Sequence, residues 1–115
     1  MHEYSIVSAL LDRVEAEARR HVRAEVLGIR VRIGELSGVD PELLRSAWSL
    51  CREGTPCARA ELELAGETAR WVCPRCAGGI EAGAALRCPG CGVPARLASG
   101  DALVLERIEM EVGDV

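Results

Sequence analysis

Two Cys-x-x-Cys pairs, Cys73-Pro-Arg-Cys76 and Cys88-Pro-Gly-Cys91, stand eleven residues apart in a stretch with little else to fold around. Residues 67–99 are poor in apolar side chains and hold three of the five prolines along with these four cysteines. A segment of that kind cannot offset its ordering entropy by burial, so it needs a cross-link or an ion. Each pair can wrap a tight turn about one ion, and four thiolates complete a tetrahedron with no open position. Zinc held this way is structural, because a closed tetrathiolate cannot activate water. Pro74 and Pro89 fix the backbone within the two knuckles, and Gly90 and Gly92 permit positive φ where it must reverse.

Disulfides are the competing use of paired cysteines, and compartment decides between them. No apolar run reaches membrane-spanning length, and the N-terminus carries Glu3 early rather than a basic start followed by an apolar stretch. The chain therefore reads as cytoplasmic, where closely spaced cysteines are metal ligands. Iron is the second reading, since the Cys-Pro-x-Cys-Gly turn also occurs in rubredoxins. The short gap and an expected lack of aromatic packing favour zinc. Arg70, Arg75, Arg87 and Arg96 face only Glu67 and Glu81 in this segment and would partly offset the charge of a tetrathiolate. Cys51 and Cys57 lie outside the pairs and read as small core thiols.

The rest of the chain carries its own periodic apolar faces. Ile6, Val7, Leu10, Leu11, Val14, Ala18 and Val22 recur at helical spacing, which predicts a helix from near Ser5 to near Val22. Leu27, Ile29, Val31 and Ile33 alternate with Gly28, Arg30 and Arg32 as in a half-buried strand, closed by Gly34 to Gly38. Asp40-Pro41-Glu42 is a helix start, with Asp40 as N-cap and Pro41 at the first helical position. That helix carries Leu43, Leu44, Ala47, Trp48 and Leu50, and Gly54 stops it. A second strand places Ala60, Leu62 and Leu64 inward. A third begins at Ala102, with Val104, Ile108, Met110 and Val112 on one face and Leu103 and Leu105 on the other. Glu106 breaks its pattern, which predicts a bulge near 105–106. With aromatics at only 3%, the core is expected to be aliphatic.

The expected fold is α+β: two helices packed on a small three-stranded mixed sheet, with a zinc-ribbon-like insert before the last strand. In domain terms, residues 1–66 form one domain, residues 67–99 the metal insert, and residues 100–115 the strand that completes the first domain.

A net charge of −4, with arginine as the only basic side chain besides two histidines, argues against nucleic acid or an anionic membrane as partner. There is no G-x-x-x-x-G-K-[ST] phosphate loop, so any nucleotide chemistry belongs to a partner. No nucleophile–base–orienter set is visible either. His21 is expected at a helix C-terminus, where a surface role fits, and the chain is not expected to be an enzyme.

The N-terminus is the second place with ligand chemistry. Met1-His2-Glu3 offers an α-amine, an imidazole and two backbone amides within a few ångströms, and nitrogen-rich square-planar sites suit Ni(II) and Cu(II) better than zinc. A terminal histidine is more often a solvated side chain, so position alone decides little.

Met-His-Glu-Tyr-Ser at the start, Arg-Ile-Gly-Glu-Leu-Ser-Gly-Val at 32–39, Glu-Gly-Thr at 53–55 before Ala60-Glu-Leu-Glu-Leu, and the paired-cysteine insert together resemble the hydrogenase nickel-incorporation proteins of the HypA family. The resemblance covers essentially the whole chain in order. It implies a nickel metallochaperone serving the maturation of [NiFe]-hydrogenase, with Ni(II) as transported cargo and a structural zinc. The partners it implies are a HypB-type GTPase and the hydrogenase large subunit. It places His2 and Glu3 at the nickel site and Cys73, Cys76, Cys88 and Cys91 at the zinc site. The remaining nickel ligand stays open between the Met1 amine, Asp40, for which a helix cap is the favoured role, and another group. The runner-up function is a zinc-ribbon interaction module binding nucleic acid or a protein assembly. That class needs basic or aromatic surface, which the composition does not supply.

Overall fold

The computed structural model describes residues 2–81, 83 and 85–113. In chain order the elements are α1 (His2–Ala18), β1 (Glu25–Gly34), α2 (Pro41–Cys51), β2 (Glu61–Glu67), β3 (Arg70–Val72), β4 (Gly79–Ile80), β5 (Arg96–Ser99) and β6 (Leu103–Glu111). β1 is the centre of a mixed sheet, parallel to β2 on one side and antiparallel to β6 on the other. Both helices cover one face of it. Val7, Leu10, Leu11 and Val14 of α1, Leu44, Ala47 and Trp48 of α2, and Ile29, Val31 and Ile33 of β1 form one buried core. Burying a side chain of this size contributes about 1.5–3 kcal/mol, so this body has its own reason to fold. Its largest member, Trp48, is also fixed through its indole N–H, which donates to the Ala60 carbonyl at 3.2 Å.

The second face of the sheet is charged. Arg30 pairs with Glu63 and Glu106, Arg32 with Glu67 and Glu106, and Arg107 with Glu63 and Glu109. Glu106 can serve two arginines because it is the extra residue of a bulge: Arg30 is opposite Arg107, whereas Val31 is opposite Leu105. The bulge lies where the sequence predicts it, but its consequence differs from the expectation. By inserting one residue it brings Leu103 and Leu105 onto the same face as Ile108 and Met110, and all four pack against the core. Val104 is opposite Arg32, away from the core, and Val112 is exposed.

Two further boundaries differ. α1 begins at His2 and ends at Ala18, four residues before Val22. Arg20 and His21 donate to carbonyls three residues back, which tightens the chain into a turn. Arg23 then takes a positive φ of 51° and Val22 is tied to Gly113, so helical continuation is lost. At the start of β1 it is Val26 that is buried, and Leu27 is exposed. Val26 is opposite Met110 and Gly28 opposite Glu109, which leaves Leu27 as an extra residue between them.

Residues 70–99 contain a second three-stranded sheet, in the order β4-β3-β5, which the sequence reading does not anticipate. It joins the first body through close backbone contact. Gly34 donates to Ala102 at 2.9 Å, Leu36 to Gly100 at 2.7 Å, and Glu35 to Glu67 at 2.8 Å. The Glu35 carboxylate accepts from the Ala69 amide at 2.8 Å. Gly100 has a φ of +104°, and a Cβ there would lie 2.4 Å from the Ala69 Cα, so the crossing requires glycine. Among the described residues, no helix is long and apolar enough to cross a membrane.

Candidate metal centres

The four paired cysteines converge. Their sulfur atoms all lie within 4.8 Å of one another, and those of Cys76 and Cys88 are 3.7 Å apart. Each knuckle is a tight turn closed by a backbone bond, from Ala77 to the Cys73 carbonyl at 2.9 Å and from Gly92 to the Cys88 carbonyl at 2.8 Å. β3 delivers Cys73 at its end, and β4 returns directly after the first knuckle, with Val72 opposite Gly79. The second knuckle is closed at its base, where Cys88 donates to the Val93 carbonyl at 3.0 Å and Arg87 bridges Pro94. Cys73, Ile80 and Cys88 form a small buried cluster with Trp71, Cys91, Val93 and Ala95 against it. An aromatic ring therefore does pack on this centre, contrary to the expectation from the sequence. The expectation failed because Trp71 is separated from Cys73 by one residue and reaches the cluster through the strand's pleat.

The electrostatics fit a cation. The amides of Arg75 and Cys76 point at the Cys73 sulfur at 3.3 and 3.4 Å, and the Cys91 amide points at the Cys88 sulfur at 3.4 Å. The Cys76 amide leads in holding the Cys73 thiol down, to about 6. Burial, with the neighbouring thiols behind it, pushes Cys91 up to about 12. Four thiolates this close cannot all carry charge unless a positive ion sits among them, and an ion that accepts four sulfurs satisfies the set. The two other cysteines do not join it. Cys57 is fully buried in the main core, with its thiol raised to about 11 by burial and by Glu15, and Cys51 is half-buried beside it.

The N-terminal residues form a different kind of place. Met1 lies outside the described residues. His2 opens α1 with an exposed imidazole, and its Nδ1 is 3.9 Å from a carboxylate oxygen of Glu3. Glu3 is the one charged residue buried among those described, and the same carboxylate oxygen accepts from the Asp40 amide at 3.3 Å. One carboxylate thus ties the first turn of α1 to the start of α2. The first amides of a helix have no intrahelical acceptor, so those of His2 and Glu3 are available without unwinding α1. Asp40 caps α2 as expected, its Oδ1 accepting from Glu42 at 2.9 Å and Leu43 at 3.3 Å. Among the described residues, no group of three or more metal-binding side chains is assembled here, in contrast to the cysteines. His21 is exposed in the turn after α1.

The cap makes a stability prediction. Asp40→Ala should destabilise the chain by about 1 kcal/mol, whereas Asp40→Asn should be nearly neutral because an amide oxygen caps equally well. Denaturant midpoints of the two variants check it; equal losses in both would show that the carboxylate charge, and not the cap, is what Asp40 supplies.

The family described as hydrogenase/urease nickel incorporation, metallochaperone, HypA matches residues 1–110. The hydrogenase maturation factor HypA of Aquifex aeolicus is 39% identical over 114 residues, covering 97% of this chain and 99% of its own. That of Deinococcus radiodurans is 41% identical over 107 residues, covering 91% and 89%. The solution structure of the Ni metallochaperone HypA from Helicobacter pylori superposes with a TM-score of 0.75 at 28% identity, covering 96% of this chain and 98% of that one.

Proposed function

The chain belongs to the HypA family, and from that premise we propose that it carries Ni(II) at its N-terminus for the maturation of [NiFe]-hydrogenase, while zinc at the four cysteines holds its insert in shape. The observation that carries this reading is the separation of two unlike sites on one short chain. Four thiolates in a closed cage suit a resident, redox-inert ion. An exposed histidine with available amides beside it suits an ion that must leave again.

In this reading His2 supplies an imidazole and the backbone nitrogens of His2 and Glu3 supply two more donors. The Met1 amine completes the set, and the Glu3 carboxylate, already committed to Asp40, fixes the geometry. Cys73, Cys76, Cys88 and Cys91 hold zinc. The 3.7 Å sulfur separation supports this, being close to the edge of about 3.8 Å that four Zn–S bonds of 2.3 Å impose on a tetrahedron. Iron would give the same polyhedron, so a colourless metal-loaded protein is part of the claim. Residues 1–66 with 100–115 act as the nickel-binding domain and residues 67–99 as the zinc insert. The chain is a carrier and not an enzyme, works in the cytoplasm with a HypB-type GTPase, and hands nickel to the hydrogenase large subunit.

The terminal amine gives the test. As a ligand it must be unprotonated, and ordinary α-amines lose their proton at a pH of about 7.7–8.0. Nickel affinity should therefore fall as pH drops through that range, and an N-terminal extension should weaken binding or change its spectrum by removing the amine while leaving His2 and Glu3. Isothermal titration of tagged and untagged protein across pH checks this. Identical affinity, spectrum and pH dependence would remove Met1 from the site and move the fourth donor to a side chain such as Asp40.

A further inference from the structure

The insert has one face that the zinc site leaves unused. Residues 68–99 carry four arginines against a single glutamate, while the remainder of the chain holds ten arginines and seventeen acidic residues. Two of the four belong to the knuckles: the Arg75 amide donates to Cys73, and Arg87 donates through Nη1 to the Gly92 carbonyl at 3.0 Å. Arg70 and Arg96 do neither. Trp71 is opposite Ile80 and Leu97, so that face of β3 turns to the cysteines. Val72 is opposite Gly79 on one side and Arg96 on the other, and Arg70 precedes it by two residues. Arg70, Val72 and Arg96 therefore share the opposite face, which is shielded from the thiolates by the sheet itself.

That face is open and unpaired. Both arginines are exposed, and among the described residues neither has a carboxylate within ion-pair reach, whereas Arg30, Arg32 and Arg107 on the large sheet each pair twice. Gly79 contributes no side chain, and a Cβ built on it meets nothing within 4 Å, so half-buried Val72 has a clear seat beside it. Positions two apart on a strand are about 7 Å apart, which is also the spacing of alternate side chains on an extended ligand. Guanidinium forks bind carboxylates in pairs of parallel hydrogen bonds. No aromatic ring lies on this face for base stacking, and the rest of the chain repels a polyanion.

We propose that Arg70, Val72 and Arg96 form a docking face for an acidic, extended segment of a partner protein. Its carboxylates pair with the two guanidinium groups, and an apolar side chain between them rests on Val72 over Gly79. The strongly acidic main body keeps such a segment off the rest of the surface and so orients its approach. This goes beyond the nickel reading and does not depend on it, because it is tested without nickel.

The experiment measures fluorescence anisotropy of a short labelled peptide with Glu, Val and Glu at every second position and Ser between them, so that all three face one side of the extended chain, added to the zinc-loaded full chain. The expected result is binding that weakens as salt rises, absent for the matched Gln–Val peptide. The double variant Arg70→Ser/Arg96→Ser should weaken it by at least about fivefold, the scale expected for two exposed ion pairs. Gly79→Leu, whose Cβ meets nothing within 4 Å and whose side chain would occupy the seat, should weaken it as well. Zinc content of one per chain in each variant shows that the insert has kept its fold. Unchanged binding in either variant, or equal binding of the Gln–Val peptide, would overturn the proposal. Tighter binding of an oligothymidylate would assign the face to nucleic acid instead. A dimer of the chain that the same substitutions dissolve would assign it to a second copy.

Discussion

Replacing Cys73 by serine is expected to strip the chain of its tetrahedral ion and to unfold residues 67–99 while both helices survive. Cys73 is buried at the centre of the cluster, and its sulfur receives two of the three backbone N–H donors that point at the thiols. A hydroxyl in its place is a far poorer ligand and breaks the four-sulfur set. Structural zinc sites of this type contribute about 10–16 kcal/mol of apparent binding energy in small metal-dependent domains. Against that, the insert's own apolar burial is Ile80 with Trp71, Val93 and Ala95 partly covered, which cannot hold three short strands alone. The main body keeps Val7, Leu11, Val14, Val31, Leu44 and Trp48, none of which touches the cysteine cluster. Elemental analysis should show zinc lost, hydrogen exchange should show protection lost from 67 to 99, and the helical circular dichroism should persist. Melting of both helices in the same variant would mean that the insert and the body fold as one unit. Retained protection in the insert without metal would mean that the ion is not its staple.

What could be read from the residues followed local chemistry. The Asp40-Pro41 start of α2 was legible because a cap and a proline act within three residues. The parallel pairing of β1 with β2 follows from a helix between two strands, and the mixed sheet from the strand that returns after the insert. The bulge at Glu106 was visible as a break in alternation. Its effect on Leu103 and Leu105 was not, because which face a strand shows depends on the register of its partner. Leu27 was misplaced for the same reason. The end of α1 was overextended because Val22 keeps the helical period, while the tie from Gly113 to Val22 is a contact ninety-one residues away in sequence.

The clustering of the four paired cysteines was legible, since spacing alone picks them out. The short strands around it were not: β3 has three residues and β4 two, too few to show a period. The N-terminal place was legible only as a set of donor atoms. Nothing in Glu3 as a residue type announces that its carboxylate is buried and bonded to Asp40, because that bond exists only once α1 and α2 are packed.

Substituting His2 by alanine is the second change expected to have a large effect, and the effect should fall on nickel alone. His2 is exposed at the first position of α1 and contributes nothing to the core, so its removal leaves the fold and the four-cysteine cluster intact. It removes the imidazole near the chain terminus, and imidazole is the donor that most favours Ni(II) over hard cations there. Glu3 keeps its bond to Asp40, so the first turn of α1 stays in place and only the imidazole is lost. The measurement is equilibrium dialysis of native and His2→Ala protein against Ni(II), with nickel and zinc counted per chain in the same samples. One nickel and one zinc are expected in the native protein, and one zinc with no specifically bound nickel in the variant. Equal nickel in both would contradict that expectation.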